Sequence, residues 1–238
     1  MLATRELGPP QNGAKRANEL PLRVGSSIVL GALALATTWI GGMLFLLFWL
    51  ATATRVFWEW ARITSWRPLW LVAGTFYAAI FFASLWFLRR DPAFGFTVLV
   101  WIFAMVWAVD IAAYFAGRRV GGPKLWPAVS PNKTWSGAIG GTIGGLIAGS
   151  IVIMVSGLML RPMHAAIMLV LIIVAQLGDL MESAVKRRFG VKDSGHLIPG
   201  HGGLMDRCDS LIAAAPAALL IGAASGGIDA PAEGLLLW

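Results

Sequence analysis

The chain has 238 residues, 58% of them hydrophobic and 13% charged. That is about half the charged share of a soluble domain, which excludes an ordinary water-soluble protein. Nineteen Lys and Arg against twelve Asp and Glu give a net charge of +7; in so apolar a chain the excess reads as loop charge at a membrane face, and no nucleic-acid partner is expected. The single cysteine, Cys208, excludes an internal disulfide and a cysteine-based zinc cluster.

Residues 1–22 form a polar tail, and residues 23–238 read as a single transmembrane domain. A spanning helix needs about 20 predominantly apolar residues. Stretches without Asp, Glu, Lys or Arg begin with Val24 to Thr54, long enough for two tight spans with Gly41-Gly42 as the turn between them. Its start lacks a small-residue cleavage site and reads as retained. Pro68 to Leu88 and Ala93 to Gly117 follow, the latter interrupted by Asp110; Ser136 to Leu160, Met163 to Met181 and Ser210 to Ile228 complete the series. The fold class expected is therefore all-α, a polytopic helical bundle of about seven spans.

Short cytoplasmic loops hold an excess of Lys and Arg. With the N-terminus inside, sixteen of the nineteen basic residues fall on the cytoplasmic side, leaving Arg89, Arg90 and Arg161 outside. Reading Val24 to Thr54 as one span weakens the bias to twelve against seven. The helical hairpin is thus preferred, and it places the polar loops Arg118 to Lys133 and Ser183 to Asp209 in the cytoplasm.

Five of the twelve acidic residues, Asp179, Glu182, Asp193, Asp206 and Asp209, fall within 31 positions beside five basic ones. An acid at the end of an apolar helix, as Asp179 is, needs a partner or a water-filled cavity. Asp179 and Glu182 are three residues apart, as are Asp206 and Asp209, so each pair shares a face if its segment is helical. Such faces suit a hard cation such as Mg2+, which takes carboxylate and phosphate oxygens together. Helix-end charges paired with Lys186, Arg187 and Arg207 would serve the pattern equally. Between the pairs lies KDSGHLIPGHGGLMDRCD, where Gly200, Gly202 and Gly203 allow close backbone approach and Lys192, His201 and Arg207 offer donors to phosphate.

The stretch from Ser183 to Asp209 resembles the signature of the phosphatidate cytidylyltransferase family. It carries Ser183, Lys186-Arg187, Lys192-Asp193, Gly195, Ile198-Pro199, His201-Gly202-Gly203-Leu204, Asp206-Arg207 and Asp209. Cys208 departs from the aliphatic residue or Thr usual there, and a small buried thiol behaves much like a small hydrophobe. Upstream, DIAAYFAGRRVGGPKLWPAVSPNKTWSGAIGG is similar to the family's other shared segment, through Asp110, Tyr114, Gly117, Ser130-Pro131, Lys133-Thr134 and Gly137.

The resemblance implies a multi-pass bacterial inner-membrane enzyme whose substrates are CTP and phosphatidic acid, with membrane lipids around it, Mg2+ as cofactor, one cation or two, and a homodimeric state. It implies metal ligation by Asp179 and Asp206, with Asp209 and Glu182 as direct or indirect supports. Lys186, Arg187, Lys192, Asp193 and His201 join the two aspartates as catalytic candidates. Asp110, Ser130, Lys133, Thr134, Ser183, Gly202, Gly203 and Arg207 are the substrate-binding candidates. Turn and helix-cap roles are the competing reading for Ser130 and Thr134.

Gly137, Gly140, Gly141, Gly144, Gly145 and Gly149 recur at three- and four-residue spacing and are expected to let membrane helices approach closely. His164 receives no role, and His196 a structural one. Two other functions remain open: a CTP-dependent polyprenol kinase, and a cation transporter with Asp110 and Asp179 as intramembrane ion sites.

Overall fold

The computed structural model describes residues 12–195 and 202–237, with side chains from residue 25 onward. The described elements run α1 (Asn12–Ile40), α2 (Gly42–Ile63), α3 (Pro68–Arg89), α4 (Gly95–Val120), β1 (Lys124–Trp126), β2 (Ser130–Thr134), α5 (Trp135–Val155), α6 (Pro162–Arg188), α7 (Met205–Gly226) and α8 (Pro231–Leu236). Six of them, α2 to α7, are long and apolar enough to cross a membrane; the described apolar part of α1, Gly25–Ile40, is shorter.

Gly41 and Gly42, with φ of 70° and 56°, supply the left-handed backbone that breaks α1 from α2. The break is a reversal. Along α4, Phe96 meets Trp39 at a ring separation of 5.1 Å, while Trp107 lies 3.6 Å from where a side chain at Gly31 would begin. α1 is therefore antiparallel to α4. α2 is antiparallel to α3, because Trp60 donates its indole N–H to the Trp70 carbonyl at 2.7 Å while the Arg89 guanidinium closes on Gly41 at the other end. With α3 and α4 joined by a tight turn, α1 and α2 must run in opposite directions, as the charge bias predicts. Arg89 secures the reversal by donating to the Thr38 carbonyl at 2.7 Å.

Turn chemistry fixes the other junctions. Ser65 and Trp66 take positive φ before Pro68 starts α3. The Asp91 carboxylate accepts the N–H groups of Ala93 and Phe94, both at 2.9 Å, at the head of α4. Thr134 caps α5 by accepting the Gly137 N–H at 3.1 Å. The core is aromatic and aliphatic: Phe45, Phe81, Trp101 and Phe103 from α2, α3 and α4 are buried with Met168, Leu171 and Ala215 from α6 and α7.

α5 shows why its glycines recur. Gly137, Gly141, Gly145 and Gly149 are buried, and side chains there would press on Ala113, Val109 and Met105 of α4. The opposite face carries Ile139, Ile143, Ile147 and Ile151, each more than half exposed, as a bilayer-facing stripe requires. The glycine-mediated approach expected from the sequence is present.

Three features differ from the apolar segments read in the sequence. α6 continues to Arg188 rather than stopping near Met181, and α7 starts at Met205 rather than Ser210, so both acidic pairs lie on helices. Residues 124–134 fold into a β-hairpin, with Lys124 opposite Thr134 and Trp126 opposite Ser130. α8 is a short further helix at the opposite end of the bundle, tied there by His164, whose Nε2 lies 3.0 Å from the Leu236 carbonyl.

Candidate active site

The hairpin, the C-terminal end of α6 and the N-terminal end of α7 meet at one end of the bundle. Their approach depends on Gly178: a Cβ there would collide with the Ala213 side chain and lie 3.2 Å from the Asp209 carbonyl. Only hydrogen at this position lets α7 come close enough for the acids of the two helices to face one another.

Asp179, Glu182 and Asp209 each contribute a carboxylate oxygen to a group in which all three lie within 4.8 Å of one another. Glu182 is buried, and its Oε1 has no hydrogen-bond partner among the described residues. An orphaned buried carboxylate oxygen beside two further carboxylates is costly unless a cation meets it. Hard oxygen donors in this number suit a divalent ion that keeps part of its water shell for substrate oxygens. The residues present fit Mg2+.

Asp206 stands outside this group. Its Oδ1 accepts the Lys186 ammonium at 2.7 Å, and its Oδ2 accepts the N–H groups of Ser194 and Gly203, both at 2.9 Å. Lys186 also donates to Glu182 Oε2 at 3.2 Å, so one buried ammonium bridges Glu182 of the acidic trio on α6 and Asp206 on α7. The helical face shared by Asp206 and Asp209 is thus divided: Asp209 turns toward α6, while Asp206 is held by Lys186, Ser194 and Gly203.

The remaining sequence candidates fall into distinct places. Lys133, on β2, forms an ion pair with Asp179. Asp110, on α4, lies within electrostatic reach of Asp179, Lys133 and Arg207. The Thr134 hydroxyl is buried and engaged in capping α5 and in contact with Ser136, which is the helix-cap reading. Ser130 begins β2. Arg187 donates to the Val129 carbonyl at 3.2 Å and to that of Val191 at 3.3 Å, joining the hairpin to the end of α6. Ser183 is half-buried on α6; Lys192, Asp193 and Arg207 are exposed. Gly202 takes φ of 87°, with the Asp206 carboxylate 2.8 Å from where a Cβ would sit. Gly203 is pressed against Ser194 and Glu59. His196 and His201 lie outside the described residues.

One residue escaped the sequence reading. Glu59 of α2 is fully buried and pairs with Arg55 at 3.0 Å. Its carboxylate accepts the Ser194 hydroxyl at 2.9 Å and the N–H groups of Leu204 and Met205 at 3.1 and 2.8 Å. It therefore caps the N-terminus of α7 from a distant helix, where the unpaired amides and the helix dipole favour negative charge. The available signal was a lone acid inside the aromatic run VFWEWA, which demands a partner in an apolar segment.

The chain is 41% identical over 265 aligned positions to a phosphatidate cytidylyltransferase of Brucella suis, covering 90% of this chain and 97% of that one. It is 34% identical over 210 positions to the protein of that name from Rickettsia bellii, with 85% and 90% covered. It is 40% identical over 130 positions to that from Bacillus subtilis, with 54% and 48% covered. The family model described as Cytidylyltransferase family matches residues 65–224, a span holding α3 to α6, the hairpin and nearly all of α7. With the acidic trio, the hairpin and the Gly178 contact all inside that span, the chain belongs to the cytidylyltransferase family.

Proposed function

We propose that this membrane protein is a nucleotidyltransferase that moves the cytidylyl group of CTP to phosphatidate, yielding CDP-diacylglycerol and diphosphate. The observation that carries the reading is the convergence of Asp179, Glu182 and Asp209 beside the cations Lys133 and Lys186, in a chain 41% identical to a phosphatidate cytidylyltransferase over most of its length.

The phosphatidate phosphate already carries negative charge near neutral pH, so attack on the α-phosphorus of CTP needs no obligatory base. What the protein must supply is position and charge neutralisation for two anions. Asp179, Glu182 and Asp209 would hold Mg2+, which supplies Lewis-acid stabilisation of phosphoryl oxygens. Lys186, fixed by Glu182 and Asp206, keeps one of its three N–H donors for a substrate oxygen. Lys133, Arg207 and Lys192 are side chains at this end able to receive phosphates, with Asp193, Ser183 and the Gly202-Gly203 backbone beside them. Asp206 ties Ser194 and Gly203 to the head of α7, and Asp110 adds negative potential on the α4 side.

The excess of Lys and Arg in the segments at this end supports a cytoplasmic site in a bacterial inner membrane, where nucleotides are available. The family resemblance supports a homodimer.

Purified protein incubated with phosphatidate, a polyprenol and CTP labelled at either the α- or the γ-phosphate tests the reading. The α-label should enter the lipid and the γ-label the diphosphate. A γ-label on the lipid would make the protein a CTP-dependent lipid kinase. Cation flux in liposomes free of phosphatidate, without transfer, would make it a transporter.

A further inference from the structure

Lys133 occupies an unusual position for a side chain expected to meet only substrate. It leaves the β-hairpin and pairs with Asp179, a member of the acidic trio. Neither partner is deeply buried, with 31% and 23% of the two side chains exposed. Lys186 meets the same trio at Glu182 Oε2, while Glu182 Oε1 has no hydrogen-bond partner among the described residues.

The backbone beneath Lys133 is pinned on both sides. Arg187 holds the Val129 carbonyl at 3.2 Å, and Thr134 caps α5 in the next position. Hydrogen bonds from Trp135 N–H to the Pro123 carbonyl at 3.1 Å and from the Ser136 hydroxyl to the Gly121 carbonyl close the base of the hairpin. Any change of partner by Lys133 is therefore a swing of its flexible four-carbon stem, requiring no loop movement.

We infer that Lys133 and a divalent cation compete for Asp179, so that cation arrival releases the Lys133 ammonium to the phosphates of the incoming nucleotide. The inference rests on the trio being a cation site, as proposed above. Two positive charges on one carboxylate repel, most strongly at low salt, so whichever holds Asp179 weakens the other. By linkage the effect is reciprocal: a phosphate anion that draws Lys133 away strengthens the cation site. Nucleotide and cation would then assist each other through a single side chain, and the acidic trio would keep a counter-charge at every stage.

Two measurements on the full-length protein in detergent test this, with Mn2+ as the probe and no nucleotide present. In the first, Mn2+ binding is followed by electron paramagnetic resonance. Lys133→Met should bind Mn2+ about ten-fold tighter than the unaltered protein at low salt, and Lys133→Arg should not. In the second, the unaltered protein is acylated with a water-soluble amine reagent and the rate at Lys133 is read by mass spectrometry; saturating Mn2+ should raise that rate severalfold. The second needs no variant and decides the matter if Lys133→Met fails to fold. Unchanged acylation, or Mn2+ affinity no higher in a folded Lys133→Met protein, overturns the competition while leaving the cation site standing. Absence of Mn2+ binding to either protein overturns the site and the competition together.

Discussion

Glu59 and Met205 are separated by 146 positions, yet the carboxylate of one accepts the backbone N–H of the other at 2.8 Å. Through this contact and those to Leu204 and Ser194, α2 fixes where α7 begins, and hence where Asp206 and Asp209 stand. Glu59→Gln should destabilise the protein by roughly 3 kcal/mol, since it breaks a buried ion pair and turns an amide donor toward backbone donors. Thermal unfolding of the detergent-solubilised protein checks this. Transfer activity should fall with it, whereas a variant as stable as its parent would remove Glu59 from the account.

Gly178 makes a sharper prediction because it has a natural complement. Gly178→Ala should cost about 1 to 3 kcal/mol and most of the activity, as its methyl collides with Ala213 across the α6–α7 contact. The double variant Gly178→Ala, Ala213→Gly should recover much of both. Equal stability of the single and double variants, read by the same unfolding measurement, would mean that this contact does not set the helix separation.

Asp179 and Asp206 separate by what their loss does. Asp179→Asn should lower turnover at least about 100-fold with little change in stability, because it removes charge from the acidic trio. Asp206→Asn should also lower turnover, and in addition lower stability by roughly 2 kcal/mol, because Lys186, Ser194 and Gly203 lose a charged acceptor. Paired assays of turnover and unfolding distinguish the two patterns.

Cys208 is half-buried, one residue from Asp209, and packed against the core. Cys208→Val should change stability by less than about 1.5 kcal/mol and leave activity within a few-fold, since the volume is nearly conserved. A large loss of turnover in a stable variant would reveal a role for the thiol.

Much of this architecture is legible in the sequence because a bilayer leaves few choices. Apolar runs became α3 to α7, and Gly41-Gly42 marked the reversal that the charge bias required. The α5 glycines announced a close helix contact through their spacing alone. Helix ends were harder: α6 and α7 carry their acids past the apolar runs, so hydropathy stops short of Glu182, Lys186, Asp206 and Asp209. The hairpin at 124–134 and α8 lack strong local signals, being short and held by contacts such as Arg187 with Val129 and His164 with Leu236. Spacing placed Asp206 and Asp209 on one face but could not say that Ser194 and Gly203 would take up the first and leave the second to Asp179 and Glu182. Glu59 was illegible as a partner because, apart from Arg55 one helical turn before it, what it meets lies 135 to 146 positions away.

The most direct test of the acidic trio is Mn2+ titration of folded Asp209→Asn and Asp206→Asn proteins, followed by electron paramagnetic resonance. The arrangement predicts that Asp209→Asn loses the bound ion and that Asp206→Asn retains it. Retention by Asp209→Asn with loss in Asp206→Asn would contradict it.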